Sequence, residues 1–323
     1  MIPVADIYKT LGNINKERRR EFMRKNLFKT VILLMVVIMS GSLFVGCGQQ
    51  DQGDTEQPDV VEEKGTVKLA YVNWAEGVAM THLAQAILED KMGYEVETTM
   101  ADVAPIFTSL SSGDSDAFLD AWLPITHESY MEEYGEDIDD LGYNFEGARI
   151  GLVVPAYVDI DSIEELNSKK DEFQGRIVGI DSGAGIMKAT DTTIEEYGLD
   201  YELIPGSGPT MTASLKKAID SNEAVAVTGW APHWKFARWD LKFLEDPKGT
   251  YGGVENIHTV TRKGLSEDMP EVAEFLTNFY LDGQQLGDLM GAIADNEDVD
   301  PIDTAREWME NHEELVNSWL PQE

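Results

Sequence analysis

Three tryptophans stand where predicted β-strands end, and their placement suggests a shared role. Trp74 follows the run TVKLAYV, Trp122 ends the run DAFLDAW, and Trp230 ends the run AVAVTGW. In open α/β sheets, ligands bind beside the carboxyl ends of the strands. Three indole faces can surround a quaternary ammonium group, whose charge is spread over methyl groups and cannot be satisfied by hydrogen bonds. The alternative is that each tryptophan belongs to the core or caps a lobe surface.

A glycine-containing loop offers the opposite chemistry. Residues 181–187 (DSGAGIM) join a predicted strand to a predicted helix, and Gly183 and Gly185 let a ligand approach the backbone closely. Free N–H groups and the positive end of the helix dipole favour an anion there. Alone, the loop is equally consistent with a tight turn. Opposite an aromatic box, it would complete a site for a zwitterion.

The residues for catalysis or metal binding are not found at the required spacings. Ser182 lacks the G-x-S-x-G pattern of a nucleophile elbow, because Ile180 stands two residues before it. The chain contains no CxxC, no P-loop and no complete dinucleotide-binding fingerprint. Its five histidines form no metal-binding pair: His82, His127, His233, His258 and His312. The sequence therefore predicts a binding protein rather than an enzyme, with no cofactor and no metal.

The elements that would position these residues occur as two similar groups. Residues 66–122 predict the order strand, helix, strand, helix, strand, and residues 175–230 predict the same order again. Short β-branched runs alternating with helical periodicity indicate parallel βαβ units. We expect an α/β protein with two lobes of matching plan.

Two extended segments are expected to cross between these lobes. They are RIGLVVPAYV at residues 149–158 and NIHTVTRKG at residues 256–264. Two crossings form a waist that permits hinge closure around a ligand. The predicted boundaries are 66–152 with 258–323 for lobe 1, and 153–257 for lobe 2. Residues 300–320, in which Asp300 is a candidate N-cap, predict helical structure that packs back on lobe 1.

The N-terminal segment predicts secretion and lipidation. From Met23 the chain has a basic stretch, an apolar run at residues 31–39 and small residues before Cys47, the only cysteine. FVGC resembles a bacterial lipobox, which makes Cys47 the predicted lipidation site. The alternative is an uncleaved anchor helix, although the run is short for the ~20 residues of a membrane span. We assign 1–22 to an over-called start, 23–46 to the signal peptide and 47–65 to the lipidated cysteine and an acidic tether.

The net charge is strongly negative. The whole chain carries a formal charge of −35, and the part from Cys47 onward carries −40 because the N-terminal segment is basic. Such a surface repels nucleic acid and anionic lipid head groups, so contact with a membrane is expected only through the lipid anchor. With one cysteine, no disulfide can form within the chain, and stability must come from packing.

The motifs YVNWAE, DAWLPITH, DSGAGIM and TGWAPHW together resemble the glycine betaine-binding proteins of osmoregulatory ABC importers. The resemblance extends from about Thr66 to Leu320. It implies a type II periplasmic-binding-protein clamshell, tethered outside the cell membrane, that supplies glycine betaine or proline betaine to a permease and its ATPase. DSGAG departs from the commoner DPGSG or DPGAG by having Ser182 in place of proline.

Residue roles also follow from the resemblance. It implies that Trp74, Trp122 and Trp230 form the box for the trimethylammonium group. The backbone N–H groups of Gly185 and Ile186 would bind the ligand carboxylate, and the His127 side chain would add a further bond. Two alternatives stay open. One is a choline-binding receptor of the same class, and the other is a ligand-sensing lipoprotein that takes no part in transport.

Overall fold

The computed structural model describes residues 64–322 of the chain. Three predicted segments lie outside the described residues, wholly or nearly so. They are the over-called start (1–22), the signal peptide (23–46) and nearly all of the segment that contains Cys47 and the acidic tether (47–65). Within the described part, no helix combines the length and the apolar character needed to cross a membrane.

The first group of elements is β1 (Thr66–Tyr71), α1 (Ala75–Asp90), β2 (Glu95–Met100), α2 (Val103–Ser112) and β3 (Ala117–Leu123). Strand β1 lies between β2 and β3 and is parallel to both. Every residue of β3 is buried, which agrees with its continuous apolar run interrupted only by Asp120. The carboxyl ends of these parallel strands therefore meet at one edge of the sheet.

The second group repeats that plan with β5 (Arg176–Val178), α4 (Gly185–Glu196), β6 (Glu202–Ile204), α5 (Gly208–Ser221) and β7 (Ala226–Ala231). Here β5 lies between β6 and β7 and is parallel to both. The strand order 2-1-3 thus occurs twice, as the alternation of strand and helix predicts. We call these two groups, with the strands that flank them, the first and second halves.

Two long antiparallel strands join the halves. They are β4 (Ile138–Pro155) and β9 (Glu255–Arg262). Strand β9 pairs with β3 of the first half and with the beginning of β4. Strand β4 changes partner between Ala148 and Arg149, after which it pairs with β7 of the second half. A continuous path of strands therefore runs β2-β1-β3-β9-β4-β7-β5-β6.

The remaining elements connect or cover this sheet. They are α3 (Glu128–Tyr134), a 3-10 helix (Ile163–Lys169), α6 (Lys235–Arg238), β8 (Leu241–Phe243), α7 (Leu265–Asp268), α8 (Pro270–Asn278), α9 (Gly283–Asp295), α10 (Pro301–Asn311) and α11 (Glu313–Trp319). Helix α10 packs against α1, where Arg306 forms ion pairs with Glu89 at 2.6 Å and Asp90 at 2.8 Å. Helix α10 therefore lies on the first half.

The C-terminal helical pattern forms two helices, α10 and α11. The Asp300 side chain caps α10 by accepting a bond from the Ile302 N–H at 3.3 Å, as the sequence predicts. The helix ends at His312, whose Nδ1 lies 2.8 Å from the Trp308 carbonyl oxygen and whose ring stacks on the Trp308 indole at 3.8 Å. Helix α11 buries Trp319 against Phe279, with ring centroids 4.9 Å apart.

Candidate ligand-binding site

The three tryptophans converge on one cavity. Trp74 is the residue before α1, and Trp122 and Trp230 are each the last but one residue of a strand. All three are at most 5% exposed. The space between them is about 270 Å³, its mouth included. The other residues around it are Glu76, Thr126, Ile150, Ile180, Ala184, Gly185 and Ile186.

Each of the three indole N–H groups donates a hydrogen bond to a carboxylate. Trp74 Nε1 donates to Asp181 Oδ1 at 3.0 Å, and Trp230 Nε1 donates to Glu76 Oε2 at 2.8 Å. Trp122 Nε1 donates to Asp120 Oδ1 at 2.8 Å within its own strand. The N–H edges of the rings are thereby satisfied, which is the normal requirement of a buried tryptophan.

Two of these bonds join the two halves of the protein. Trp74 belongs to the first half and Asp181 to the second, whereas Trp230 belongs to the second half and Glu76 to the first. A further bond in the same region runs from the Tyr130 hydroxyl to the Gly183 carbonyl oxygen at 2.8 Å. The indoles therefore form the cavity walls and also hold the halves against each other.

The loop at the start of α4 presents unused donors. Ala184 precedes the helix and has no side chain that could cap it. In the described part of the chain, no hydrogen bond uses the backbone N–H of Gly185 or Ile186. Both residues line the cavity with the tryptophans. Unpaired N–H groups at a helix N-terminus favour an anionic group.

Gly185 lies so close to the first half that no side chain fits. A Cβ atom added there would overlap the Thr126 carbonyl oxygen and would lie 2.6 Å from the Thr126 side chain. The reason for glycine is therefore this close approach, since the backbone of Gly185 does not require a positive φ.

His127 lies directly behind the cavity and does not belong to its lining. The His127 Nδ1 atom accepts a hydrogen bond from the Trp122 backbone N–H at 2.9 Å, and the His127 backbone N–H donates to the Trp122 carbonyl oxygen at 2.9 Å. Its ring stacks on Trp74 at 5.9 Å between centroids. This pair of bonds brings the chain back toward the strand that it has just left.

The protonation state of His127 follows from its surroundings. Burial lowers the pKa of the imidazole to about 3, so the ring is neutral at physiological pH. Because Nδ1 accepts a hydrogen bond, the proton of the neutral ring is on Nε2. That Nε2–H group is buried and has no partner among the described residues. It is a further free donor beside Trp74.

Glu255 holds the loop that connects Trp122 to His127. This glutamate begins β9 and is 3% exposed. Its Oε2 accepts bonds from the backbone N–H groups of Ile125 at 3.3 Å and Thr126 at 3.0 Å, and its Oε1 accepts one from the Thr126 hydroxyl. Burial raises the pKa of Glu255, whereas these donors lower it. One joining strand thus fixes the loop that contacts Gly185.

The structure brings five of the six predicted binding residues to one cavity and places the sixth, His127, against Trp74. The sequence interpretation missed the carboxylates that bind the indoles, namely Glu76, Asp120 and Asp181. Two signals could have found them. Asp120 interrupts an otherwise apolar strand, and Glu76 follows Trp74 by two residues at a helix start. In residues 64–322, no cluster of three or more histidine, cysteine, aspartate or glutamate side chains is arranged to hold a metal.

Comparison with known proteins gives consistent matches. The sequence model of one family, described as "Substrate binding domain of ABC-type glycine betaine transport system", matches residues 65–311. The glycine betaine/carnitine transport binding protein GbuC of Listeria monocytogenes is 43% identical over 159 residues, which are 47% of this chain. The matched region spans 52%, or about half, of that relative's length.

Solved structures show the same fold. The glycine betaine/L-proline-binding protein ProX of Borrelia burgdorferi is 38% identical with a TM-score of 0.76, covering 80% of this chain and 97% of that one. Lactococcal OpuAC complexed with glycine betaine is 36% identical with a TM-score of 0.75, covering 80% and 100%. A choline-binding protein in complex with choline is 29% identical with a TM-score of 0.73, covering 79% and 91%. These matches confirm the predicted α/β fold of substrate-binding proteins.

The contact at Gly185 leads to a stability prediction. Replacing Gly185 by alanine should lower the free energy of unfolding by about 1–3 kcal/mol, because the new methyl group overlaps the Thr126 carbonyl oxygen. Urea denaturation of the variant and the wild type measures the difference. Gly291→Ala is the control. Gly291 lies inside α9, and a Cβ atom added to it would have no other atom within 4 Å. Equal stabilities of the two variants would contradict the close approach.

Proposed function

Because the chain belongs to the family of substrate-binding domains of ABC-type glycine betaine transport systems, we propose that it is an extracellular receptor for glycine betaine or proline betaine. In this proposal it delivers the ligand to an ABC permease and its ATPase for osmoprotectant uptake. The observation that carries the proposal is the cavity itself, which is lined by three indoles and by Gly185 and Ile186, whose backbone N–H groups have no hydrogen-bond partner among the described residues. The family is one of binding domains, which agrees with the prediction of a non-enzymatic protein.

The aromatic walls account for binding of the ammonium end. A methylated ammonium group has no N–H to donate, so it is attracted by the negative faces of aromatic rings. Each desolvated ring contributes up to ~2 kcal/mol, and burial of the methyl groups adds a hydrophobic contribution. Trp74, Trp122 and Trp230 are all buried and donate their N–H groups to carboxylates. The ligand would contact the ring faces that remain, since His127 stacks on Trp74 and Lys235 Nζ lies 4.1 Å from the centroid of the Trp230 ring.

The carboxylate end is assigned to the start of α4. The N–H groups of Gly185 and Ile186 would donate to the ligand carboxylate, and the helix dipole favours its charge. The Nε2–H of His127, which is buried beside Trp74 behind the cavity lining, would be a third donor to a carboxylate that reaches it. Its neutral state supports this role, because the donor persists across the physiological pH range without introducing a second cation beside the box.

Closure is proposed to occur between a lobe of residues 66–152 with 258–323 and a lobe of residues 153–257. The two joining strands provide the hinge. The Trp74–Asp181 and Trp230–Glu76 bonds cross the cleft beside the cavity. A ligand that fills this space would stabilise the same joined arrangement of the halves.

Choline is the second candidate ligand. The favouring observation is the similarity to the choline-binding structure, together with an aromatic cavity that suits any trimethylammonium group. Choline has no carboxylate, so the donors of Gly185, Ile186 and His127 would have no anionic partner. We therefore prefer a betaine.

The proposed attachment is a lipid on Cys47, which holds the receptor at the outer face of the cytoplasmic membrane. The support is the sequence pattern from Met23 to Cys47, whose small residues precede the only cysteine of the chain. The acidic segment from Gly48 to Lys64 would separate the folded part from the membrane.

Titration with glycine betaine tests the proposed ligand. Binding followed by tryptophan fluorescence and calorimetry should be saturable, and Trp122→Ala should lose at least ~1 kcal/mol of binding free energy because one aromatic wall is removed. Trp239→Ala is the control, because Trp239 lies outside the cavity lining. Absence of betaine binding by the wild type would reject the proposal, and unchanged affinity of Trp122→Ala would remove that ring from the site.

Substitution of His127 separates betaine from choline. His127→Ala should weaken betaine binding more than choline binding, because only betaine has a carboxylate to accept the Nε2–H bond. Calorimetric titration of both ligands gives the ratio of affinities. A loss of packing would affect both ligands equally, so equal losses would argue against a carboxylate role for His127.

Substitution of Cys47 tests the anchor. Cys47→Ala should abolish lipid attachment and shift the protein from the membrane fraction, because the modified side chain is gone. Fractionation of cells and medium, with a lipid label, measures both effects. Thr55→Ala in the tether is the matched control and should stay with the membrane. Retention of the lipid label by Cys47→Ala would disprove the assignment.

A further inference from the structure

Glu76 is a carboxylate in the wall of an otherwise mostly aromatic and apolar cavity. It lines the cavity with the three tryptophans and is 1% exposed. Its Oε2 accepts the Trp230 indole bond, whereas its Oε1 is buried and has no hydrogen-bond partner among the described residues. A buried carboxylate oxygen without a partner is costly. The positive charge of a methylated ammonium group could stabilise this buried oxygen without any hydrogen bond.

Asp120 and Lys235 extend this arrangement behind the tryptophans. Asp120 is fully buried, and its Oδ2 lacks a partner in the described part of the chain while Oδ1 accepts the Trp122 indole bond. Lys235 is fully buried as well, and its Nζ lies 4.1 Å from the centroid of the Trp230 ring without a hydrogen bond to any described residue. If Glu76, Asp120 and Lys235 are all ionised, their net charge is −1.

Burial shifts the pKa values of these three groups. Burial raises the pKa of Glu76 to about 7 and lowers the pKa of Lys235 to about 7. Burial, and then the charge of Glu76, raise the pKa of Asp120. The neighbouring His127 and His233 have pKa values lowered by burial, so neither supplies a positive charge. The carboxylates of Glu76 and Asp120 therefore retain protons at pH values where exposed carboxylates are ionised.

We propose that Glu76 is the counter-ion of the bound ammonium group and that a cationic ligand completes the buried charge set of Glu76, Asp120 and Lys235, with release of a proton. This inference rests on the proposed function, because it assigns the group that selects the charged end of the betaine. The proton leaves the carboxylate when the ligand cation arrives, and it passes to the solvent buffer. No bond of the ligand changes.

The direction of the pH dependence follows from this release. A positive ligand beside Glu76 favours the ionised carboxylate and lowers its pKa. Binding then releases a proton, so affinity rises with pH through the region near 7 and becomes constant above it. The charge of Glu76 also distinguishes the ligand from a neutral group of equal shape. The carbon analogue 3,3-dimethylbutanoate keeps the carboxylate and the three methyl groups of glycine betaine but has no positive charge.

The experiment compares the full chain with its Glu76→Gln variant. Glutamine keeps the length of the side chain and an oxygen that can accept the Trp230 bond, but it removes the charge. Calorimetry at about pH 6, 7 and 8 in buffers of different ionisation enthalpy gives the affinity and the number of protons released. Glycine betaine and 3,3-dimethylbutanoate are the two probes. Glu202→Gln, an exposed residue of β6, is the control with the same change of charge.

Three results are expected. Glu76→Gln should bind glycine betaine at least about tenfold more weakly than the wild type at about pH 8 and should release fewer protons. Its affinity for 3,3-dimethylbutanoate should not fall, and Glu202→Gln should match the wild type. Equal weakening of both probes by Glu76→Gln, or unchanged betaine affinity, would overturn the inference.

The wild type alone provides an independent test. Betaine binding without proton release at about pH 7 would overturn the inference even if Glu76→Gln failed to fold. Absence of betaine binding by the wild type would instead reject the proposed function. The two failures are therefore distinguishable.

Discussion

The hydrogen bonds between indole N–H groups and carboxylates are the interactions on which the site depends. Trp74 and Trp230 each donate across the cleft to a carboxylate of the opposite half, while Trp122 donates within its own strand. All three bonds fix the indoles beside the cavity, and those of Trp74 and Trp230 also join the halves around it. Removal of one carboxylate would thus affect both the shape of the cavity and the contact between the halves. In the proposed function, recognition and closure therefore share the same side chains.

Much of the fold could be predicted from periodicity. Short apolar runs alternating with helical patterns indicated both βαβ groups, and the carboxyl ends of their strands placed Trp122 and Trp230 at one edge. The helix break at His312 was not predictable in this way, because the burial of Trp319 against Phe279 joins distant parts of the chain. Tertiary contacts decided where that helix ends.

The charged part of the site was much harder to predict. The chain contains 60 acidic residues, so no single one stands out by type. Glu255 contacts a loop 129 residues away in sequence, and Asp181 meets Trp74 across 107 residues. Such pairs depend on how the two halves meet, about which local sequence patterns carry no information. The aromatic residues were recognisable because strand ends are local features, whereas their partners were not.

The hydrogen bonds across the cleft have a consequence for the energetic cost of uptake. Joining the halves buries the carboxylates of Glu76 and Asp181, and burial raises the pKa of each. A bound cation offsets part of this cost, so a loaded receptor would favour the joined arrangement more strongly than an unloaded one. A permease that responds to that arrangement would then respond preferentially to loaded receptors. The cost of burying carboxylates without a cation would thereby favour ATP hydrolysis in cycles that carry cargo.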